Sequence, residues 1–378
     1  MLKMLDHKHY VPILRWKTAE MEALKFLKVE AKARMTPLIE LCQDAFDPKK
    51  PKHENDKPKP IVVEDIITKK VNQLHQSWGN QAVFIDLLHL NPKTRTSVGK
   101  HIFEIISSLT VKNDTSVIPV TGFPYKDPKT YWEVRNIEYQ NAVAKAIKMC
   151  GHGACVRLFL HDIIHRKTLK SDIRDLLQAL GLAINETDLL IDYQAINNTN
   201  PSIINLYNYI PFIDDWRSII ISGGAFPPDL SELLANRTYK LDRLDWLSWS
   251  QQVKDVSLTL RLPSYSDYTI QHPLYRKPTD YPKVSASIRY SCNEYWLIMR
   301  GEWIGKQGSR GSAQYQAEAQ LLCDREEYFG ANFSFGDDYI MKKSVDDVHH
   351  GNVKEWLRAG INHHLELVIH QIANHFSI

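Results

Sequence analysis

The chain has 378 residues, 43% hydrophobic and 24% charged, an ordinary globular usage with material for a sizeable core. Its 47 basic and 44 acidic side chains leave a formal charge of +3, so no global field points to nucleic acid or to a membrane surface. Five cysteines, odd in number and without a C-x-x-C pair, argue against a disulfide framework or a zinc knuckle, and no run approaches the ~18 apolar residues of a membrane span.

Short apolar, β-branched runs recur with helical patterns between them, the signature of βα units and a parallel sheet. Tyr10–Arg15 reads as the first strand, followed by a helix over Thr18–Ala33 with Met21, Leu24, Leu27 and Ala31 at helical spacing. Thr36–Cys42 is the second strand. The Lys/Pro-rich stretch Asp47–Pro60 then reads as a solvated loop, with a lid or phosphate-steering arm over Lys49–Lys59 as the functional alternative. A helix over Val62–His75 leads to strand three at Ala82–Leu87 and a helix over Val98–Leu109. Strand four is Ser116–Thr121, with a helix ending near Cys150, and strand five is Ala154–Leu160. The helix Lys170–Leu180 is closed by Gly181. Asp188–Tyr193 is strand six, and Ser218–Ser222 is strand seven, ending in Gly223-Gly224. A long helical stretch through Leu241, Leu244, Trp246, Leu247 and Trp249 precedes Leu262–Ile270, the candidate eighth strand.

Eight strands in this alternation predict an α/β fold, a (β/α)8 TIM-like barrel over residues 1–275, with an open doubly wound sheet as the alternative. Residues 276–378 read as a C-terminal elaboration packed on the barrel: a β-hairpin of Ser285–Tyr290 and Tyr295–Arg300, a helix over Ser312–Cys323, an aromatic-rich loop and a final helix over Val353–His375. The polar start, Met1–Tyr10, lacks an apolar signal region, so a cytoplasmic location is expected.

In a parallel barrel the site lies where strands end and lead into helices. Lys17, Glu40, Asp86, Asp192 and Asp267 fall at or near such ends and are the candidate catalytic residues. Carboxylates there can divide acid and base roles or hold a divalent metal, although no H-x-H or H-E-x-x-H cluster names the metal. Arg15, Arg157, His161 and Gln194 are candidate substrate-binding residues, with Lys17 a further cation for a phosphate or carboxylate. Ser222, Gly223 and Gly224 form a turn whose backbone N–H groups can approach an anion, aided by a helix starting near Asp229. The competing reading of the charged ends is a ring of inter-strand ion pairs that fixes register and turns nothing over.

His161 and Asp162, with His165 and Arg166 beyond, offer a general base, although a lone His beyond a strand is more often a surface residue. His363 and His364 are adjacent on a helix and point ~100° apart, so one is expected to face the core and the other to turn elsewhere. The stretch Phe329–Ile340, with its Gly, Phe and Asp mixture, reads as a loop anchoring the extension. Closing over a ligand is the alternative.

Tyr10-Val-Pro-Ile-Leu-Arg-Trp-Lys-Thr-Ala-Glu20 with Ala23-Leu24, then Pro37-Leu-Ile-Glu40, carry a family resemblance. So do Ser266-Asp-Tyr268, Ile288-Arg-Tyr290, Trp296-Leu-Ile-Met-Arg-Gly301, Gln314-Tyr315, Phe333-Ser-Phe-Gly-Asp337 and Gly360-Ile-Asn-His-His364. Together they span nearly the whole chain, and the pattern resembles the phage and bacterial beta protein family. Where many members carry Gly before the Asp-Tyr pair, this chain has Ser266. The resemblance implies a barrel-like fold and a role in phage conflict or defence, and it assigns no catalytic residue.

Two functions follow. One is a hydrolase, a phosphodiesterase or nuclease, acting on an anionic small molecule or nucleic acid at the barrel mouth. The other is a non-enzymatic module that recognises a phage or host protein or nucleic acid. Neither involves the membrane.

Overall fold

The structure is a computed structural model, which describes residues 4–47, 61–127, 130, 132–196, 202–256, 261–276, 284–346 and 348–376. The lid reading of Lys49–Lys59 lies outside the described residues.

Strands β1 (Ile13–Arg15), β2 (Leu38–Glu40), β3 (Val83–Asp86), β4 (Val117–Thr121), β5 (Ala154–Phe159), β6 (Thr187–Ala195) and β7 (Ser218–Gly224) follow one another in chain order across a single sheet. After β8 (Arg237–Asp242), which lies in another sheet, β9 (Ser264–Asp267) adds to β7 as the eighth member. Tyr10 bridges Met35 on one side and Tyr265 of β9 on the other, and the Val11 N–H donates to the Tyr265 carbonyl at 2.9 Å. The first and last strands are therefore neighbours, and the eight parallel strands make a nearly closed (β/α)8 barrel. An open doubly wound sheet would reverse its strand order part-way and leave two edges. The strands read as near-continuous hydrophobic runs because parallel strands are buried on both faces. Among the polar exceptions, Glu40, Asp86, Asp192, Ser222 and Asp267 stand in the C-terminal portions, whereas Asp188, Ser218 and Ser264 stand at or near strand starts.

The chain forms two compact units, one built chiefly from residues 37–191 and 209–219, the other from 5–36, 192–208 and 220–378. The second unit opens with α1 (Thr18–Lys25) and α2 (Val29–Lys32), so the predicted Thr18–Ala33 helix is broken in two. The first unit carries α3 (Val63–Trp78), α4 (Ile102–Lys112), α5 (Ile137–Cys150), the short α6 (Leu160–Ile164) and α7 (Leu169–Leu180). In α5, Asn136 caps the start by accepting from the Tyr139 N–H, and left-handed Gly151 ends it. Helix α7 buries Leu169, Ile173, Leu176, Leu177 and Leu180 on one stripe and stops at left-handed Gly181.

The second unit continues with α8 (Ile203–Tyr207), α9 (Leu244–Val256), β10 (Ser285–Ser291), β11 (Tyr295–Trp303), α10 (Gln314–Cys323), α11 (Phe335–Ser344) and α12 (Val353–His375). The expected hairpin is β10 with β11, and β8 adds to its other side in the order β8-β11-β10. Leu241 therefore lies in a strand, and the helix starts only at Leu244. Cross-strand pairing with β11 outweighs local helical spacing here. The predicted loop Phe329–Ile340 contains the first turns of α11, which Ser334 caps by accepting from the Asp337 N–H at 3.1 Å. Helix α12 is buried along most of its length and meets α1, where Asn362 Nδ2 donates to the Ala23 carbonyl at 3.0 Å and Arg358 Nη1 to Glu22 at 2.9 Å. Among the described residues, no helix is long and apolar enough to cross a membrane.

Candidate functional site

The predicted strand-end residues of the first unit meet one another. Glu40 and Asp86 are register partners on β2 and β3, so both side chains take the same face. Arg157 of β5 donates from Nη1 to Glu40 Oε1 at 2.9 Å and to Asp86 Oδ2 at 2.8 Å. A second arginine completes the group. Arg135 Nη2 donates to Asp86 Oδ2 at 3.2 Å, and its Nη1 to the Arg157 carbonyl at 3.0 Å. All four side chains are at most 1% exposed, and burying such charges is costly unless they are paired as they are here.

Arg135 could not be foreseen, because it lies in a loop and adopts a left-handed backbone at φ 56°. Its guanidinium occupies the space beside Gly122, where a Cβ would come within 2.2 Å of Nη1. Gln140 pins the same loop, donating from Nε2 to the Gly122 and Arg135 carbonyls. The Phe159 ring lies under both guanidinia, 5.8 Å from Arg135 and 5.5 Å from Arg157.

Two imidazoles bring this network toward solvent. His89, three residues beyond β3 and 21% exposed, places Nε2 3.5 Å from Glu40 Oε2. His161 is 59% exposed, stacks on Phe159 at 5.7 Å, and lies 3.6 Å from its own neighbour Asp162. His161 stands out in the sequence beside its strand end, whereas His89 does not. Its cue would have been position: a histidine on the loop leaving a strand whose last residue is Asp86.

In the second unit Asp267 stands in a different setting. His364 Nε2 lies 2.9 Å from Asp267 Oδ2, and Ser291 Oγ lies 2.7 Å from His364 Nδ1. Tyr10 and the Thr269 N–H donate to Asp267 Oδ1 at 2.5 and 3.0 Å. Burial alone would raise the Asp267 carboxyl, but His364 and the Tyr10 hydroxyl hold it below its ordinary range. A carboxylate at Nε2 and a hydroxyl at Nδ1 describe a neutral imidazole donating to Asp267 and accepting from Ser291. The residue types are those of a nucleophilic triad, but Ser291, His364 and Asp267 are wholly buried. A triad is recognised by an accessible nucleophile, not by residue types alone.

His363 is equally buried and has its own partner, Asp337 Oδ2 at 2.8 Å. The expectation that one of the two histidines would turn away is therefore wrong. Both face the interior, each satisfied by a separate aspartate. The ~100° between neighbouring helical side chains is what sends them to different partners.

The other predicted residues scatter. Asp192 accepts from the Gln194 N–H at 2.8 Å and from the Tyr268 hydroxyl at 2.6 Å, while the Gln194 side chain is exposed and its backbone left-handed. Arg15 donates to Gln271 at 3.0 Å and to the His272 carbonyl at 2.9 Å. Lys17 shares with it the face of Tyr275, each 5.6 Å from the ring centre. The Ser222-Gly223-Gly224 segment is not a turn but the end of β7, and neither glycine has a positive φ. Gly223 is small because Ile196 packs on it, and Gly224 because Pro273 does. No helix starts at Asp229, which lies in an irregular loop. The anion cradle expected there is thus absent as drawn. Ser222, Gly223 and Ser266 instead line a narrow cleft with Asp245, whose carboxyl burial and the Asp267 charge push up to about 7. Among the described residues, no group of three or more His, Cys, Asp or Glu side chains is placed to hold a metal ion.

The chain matches the Beta protein family over residues 10–370. It belongs to that family. The family match spans both compact units and includes every strand-end residue discussed above. No curated protein matches this chain. Among solved structures, similarity is found to a triosephosphate isomerase from Bartonella henselae, at 10% identity and TM-score 0.35, over 70% of this chain and 94% of that one. A GH18 chitinase from Pseudoalteromonas aurantia is similar at 10% identity and TM-score 0.35, over 69% of this chain and 94% of that one. A type I 3-dehydroquinate dehydratase from Clostridium difficile follows at 10% identity and TM-score 0.34, over 71% and 88%.

Proposed function

We propose that this member of the Beta protein family is a hydrolase acting on a phosphodiester or similar anionic substrate at the strand ends of its first unit. The observation that carries the reading is the partly exposed His89 backed by Glu40, which Arg157 holds in turn. A carboxylate behind a histidine orients the ring, as general acid–base catalysis requires. His89 would take the proton from the attacking water and return it to the leaving oxygen. Glu40 and Arg157 act through His89 as positioning residues, and Asp86 with Arg135 keeps Arg157 in place. The segment after β5 supports an anionic substrate, since His161, His165, Arg166 and Lys167 stand within one short run. The phage-conflict setting rests on the resemblance described under the sequence.

The test is hydrolysis of bis(p-nitrophenyl) phosphate, followed by nitrophenolate release. His89→Gln should lose roughly 10²–10⁴-fold in rate, and Glu40→Gln should lose activity with folding retained. No turnover by the wild type, or equal turnover by His89→Gln, overturns the reading.

One observation favours the alternative of a non-enzymatic binding module. Glu40, Asp86, Arg135 and Arg157 balance two negative charges with two positive ones and are closed to solvent. A binding module predicts that His89→Gln leaves biological activity intact, while changes at exposed positions such as Trp303 abolish it.

A further inference from the structure

We propose that a cavity beside the C-terminal sheet, within the second unit, binds the phosphate group of a small organic phosphate through Arg289 and Arg300. It shares no residue with the site proposed above, so either reading can fail alone. The cavity has a volume of about 370 Å³, in the range of small-ligand sites.

The sequence of β10, Ser-Ala-Ser-Ile-Arg-Tyr-Ser, alternates strictly. Ala286, Ile288 and Tyr290 point into an apolar core with Leu297 and Met299. Ser285, Ser287 and Arg289 take the opposite face, and all three line the cavity. The register of β10 with β11 sets Ser287 opposite Arg300, placing a second guanidinium on that face, and Arg300 Nη1 donates to Ser287 Oγ at 3.1 Å. Across β11 the partner of Arg300 is Arg237. Like charges directly opposed across a ladder are destabilising unless something compensates them.

The protein supplies little compensation. Among the described residues, no carboxylate oxygen lies within 4 Å of Arg289 or Arg300. Arg289 donates to the Ile270 carbonyl at 3.1 Å and sits 5.0 Å from the centre of the Phe226 ring. Arg300 Nε is buried without a hydrogen-bond acceptor. Two nearby acids do not fill the role. Burial pushes Glu318 up to about 9, so it is uncharged at neutral pH. Asp229, on the cavity wall, is already held by Arg276 at 3.2 Å and by Ser231. Burial, opposed by Tyr315 and reinforced by Arg300 and Arg15, pulls Arg289 down to about 10. A site with two such cations favours an incoming anion, and paired guanidinia with serine hydroxyls beside them match the oxygens of a phosphate group. The Ile270, Tyr315, Trp356 and Leu357 side chains supply an apolar wall for the organic body.

Phenyl phosphate, inorganic phosphate and phenol are the probes, titrated into the full chain by calorimetry with melting temperature read in parallel. Phenyl phosphate should bind saturably at one site, more tightly than inorganic phosphate, and phenol should not bind. Arg289→Gln and Arg300→Gln should each weaken binding by about tenfold or more, while Glu40→Gln leaves it unchanged. Without ligand, Arg289→Gln should melt at or above the wild-type temperature, because it relieves repulsion. A purely structural arginine would lower it. Ser287→Ala, which keeps both charges, should weaken binding severalfold and provides the answer if an arginine variant does not fold. The proposal is overturned by the absence of saturable phenyl phosphate binding, by unchanged affinity in Arg289→Gln or Ser287→Ala, or by a lower melting temperature for Arg289→Gln.

Discussion

His364 on the final helix and Asp267 at the end of the last barrel strand lie 2.9 Å apart, Nε2 to Oδ2, across 97 residues of chain. Both are wholly buried, so the pair ties α12 to β9 with no water to compete. Removing one partner leaves a polar group unsatisfied in the interior. His364→Ala should cost about 3 kcal/mol or more, measured as a drop in the urea midpoint at neutral pH.

The same pair sets an acid limit. Burial holds His364 below its ordinary value of 6.5, so below that pH the unfolded chain binds more protons than the folded one and stability falls as pH falls. Asp267 is also held low. Its contribution is complete above 3.8 and is lost as pH drops through the lower folded value. Urea midpoints should fall first below about pH 6.5 and again in strong acid. His364→Ala should remove the first step and also weaken the second, because His364 is the first of the groups that hold Asp267 low.

Asp245 works in the opposite direction. Its folded value, pushed up to about 7 by burial and by Asp267, exceeds the ordinary 3.8. The protonated form therefore stabilises the fold below 3.8, and that contribution is lost as pH rises through 7. Asp245→Asn gives up one acceptor for the Ala225 or Trp246 N–H, so it should be less stable at pH 4 and gain on the wild type up to about pH 7. Glu318, pushed up to about 9, predicts the same shape for Glu318→Gln over a wider window, from 4.5 to 9. Denaturation of the three proteins across pH 4 to 9.5 separates the two curves.

Asp86 carries two arginines, so its loss takes a buried carboxylate from each, although Arg157 keeps Glu40. Asp86→Ala should destabilise by about 3–5 kcal/mol. Glu40→Gln combined with Arg157→Met should cost less than the sum of the two single changes, because each single change removes one partner of the other's buried charge. A double-mutant cycle from urea denaturation measures the coupling. Strict additivity would show that the 2.9 Å contact between Arg157 and Glu40 contributes nothing.

Glycines on close contacts should rank by what a methyl group meets. At Gly336 a Cβ would come within 2.1 Å of the Ala359 carbonyl, and at Gly301 within 2.0 Å of the Ala286 carbonyl. Backbone cannot step aside cheaply, so each Gly→Ala change there should cost about 1–3 kcal/mol or more. At Gly223 the obstacle is the tip of the Ile196 side chain, which can rotate. Thermal melts of the three alanine variants should place Gly223→Ala as the mildest.

The barrel was legible because its signals are local. β-branched runs such as Val117–Thr121 alternate with periodic helices such as Leu169–Leu180, and those two periods identify strands and helices without any contact information. The hairpin of β10 and β11 and the extent of α12 followed in the same way. The errors came where local preference and tertiary pairing disagree. Leu241 sits in helical spacing with Leu244 yet lies in a strand, because β8 has β11 to pair with. The Gly223-Gly224 pair looks like a turn but continues β7, since the residues that demand its small size, Ile196 and Pro273, are distant in sequence. The start of α11 departs from the expected loop for a different reason. Its Ser334 cap, three residues before Asp337, is a local signal that the aromatic composition of the stretch obscured.

The sequence by itself determined which elements form, that eight strands alternate with helices, and that carboxylates and arginines occupy strand ends. Tertiary structure alone decided which of those charges meet. Glu40, Asp86 and Arg157 come together because β2 and β3 are in register and Arg157 reaches both carboxylates. Arg135 joins them from a loop through the gap beside Gly122. Asp267 was expected at a reaction centre, but it is committed to a histidine from the last helix. Periodicity is written in neighbouring residues, whereas the partner of a buried charge is chosen by the whole chain. Burying that charge unpaired costs more than any local preference can return.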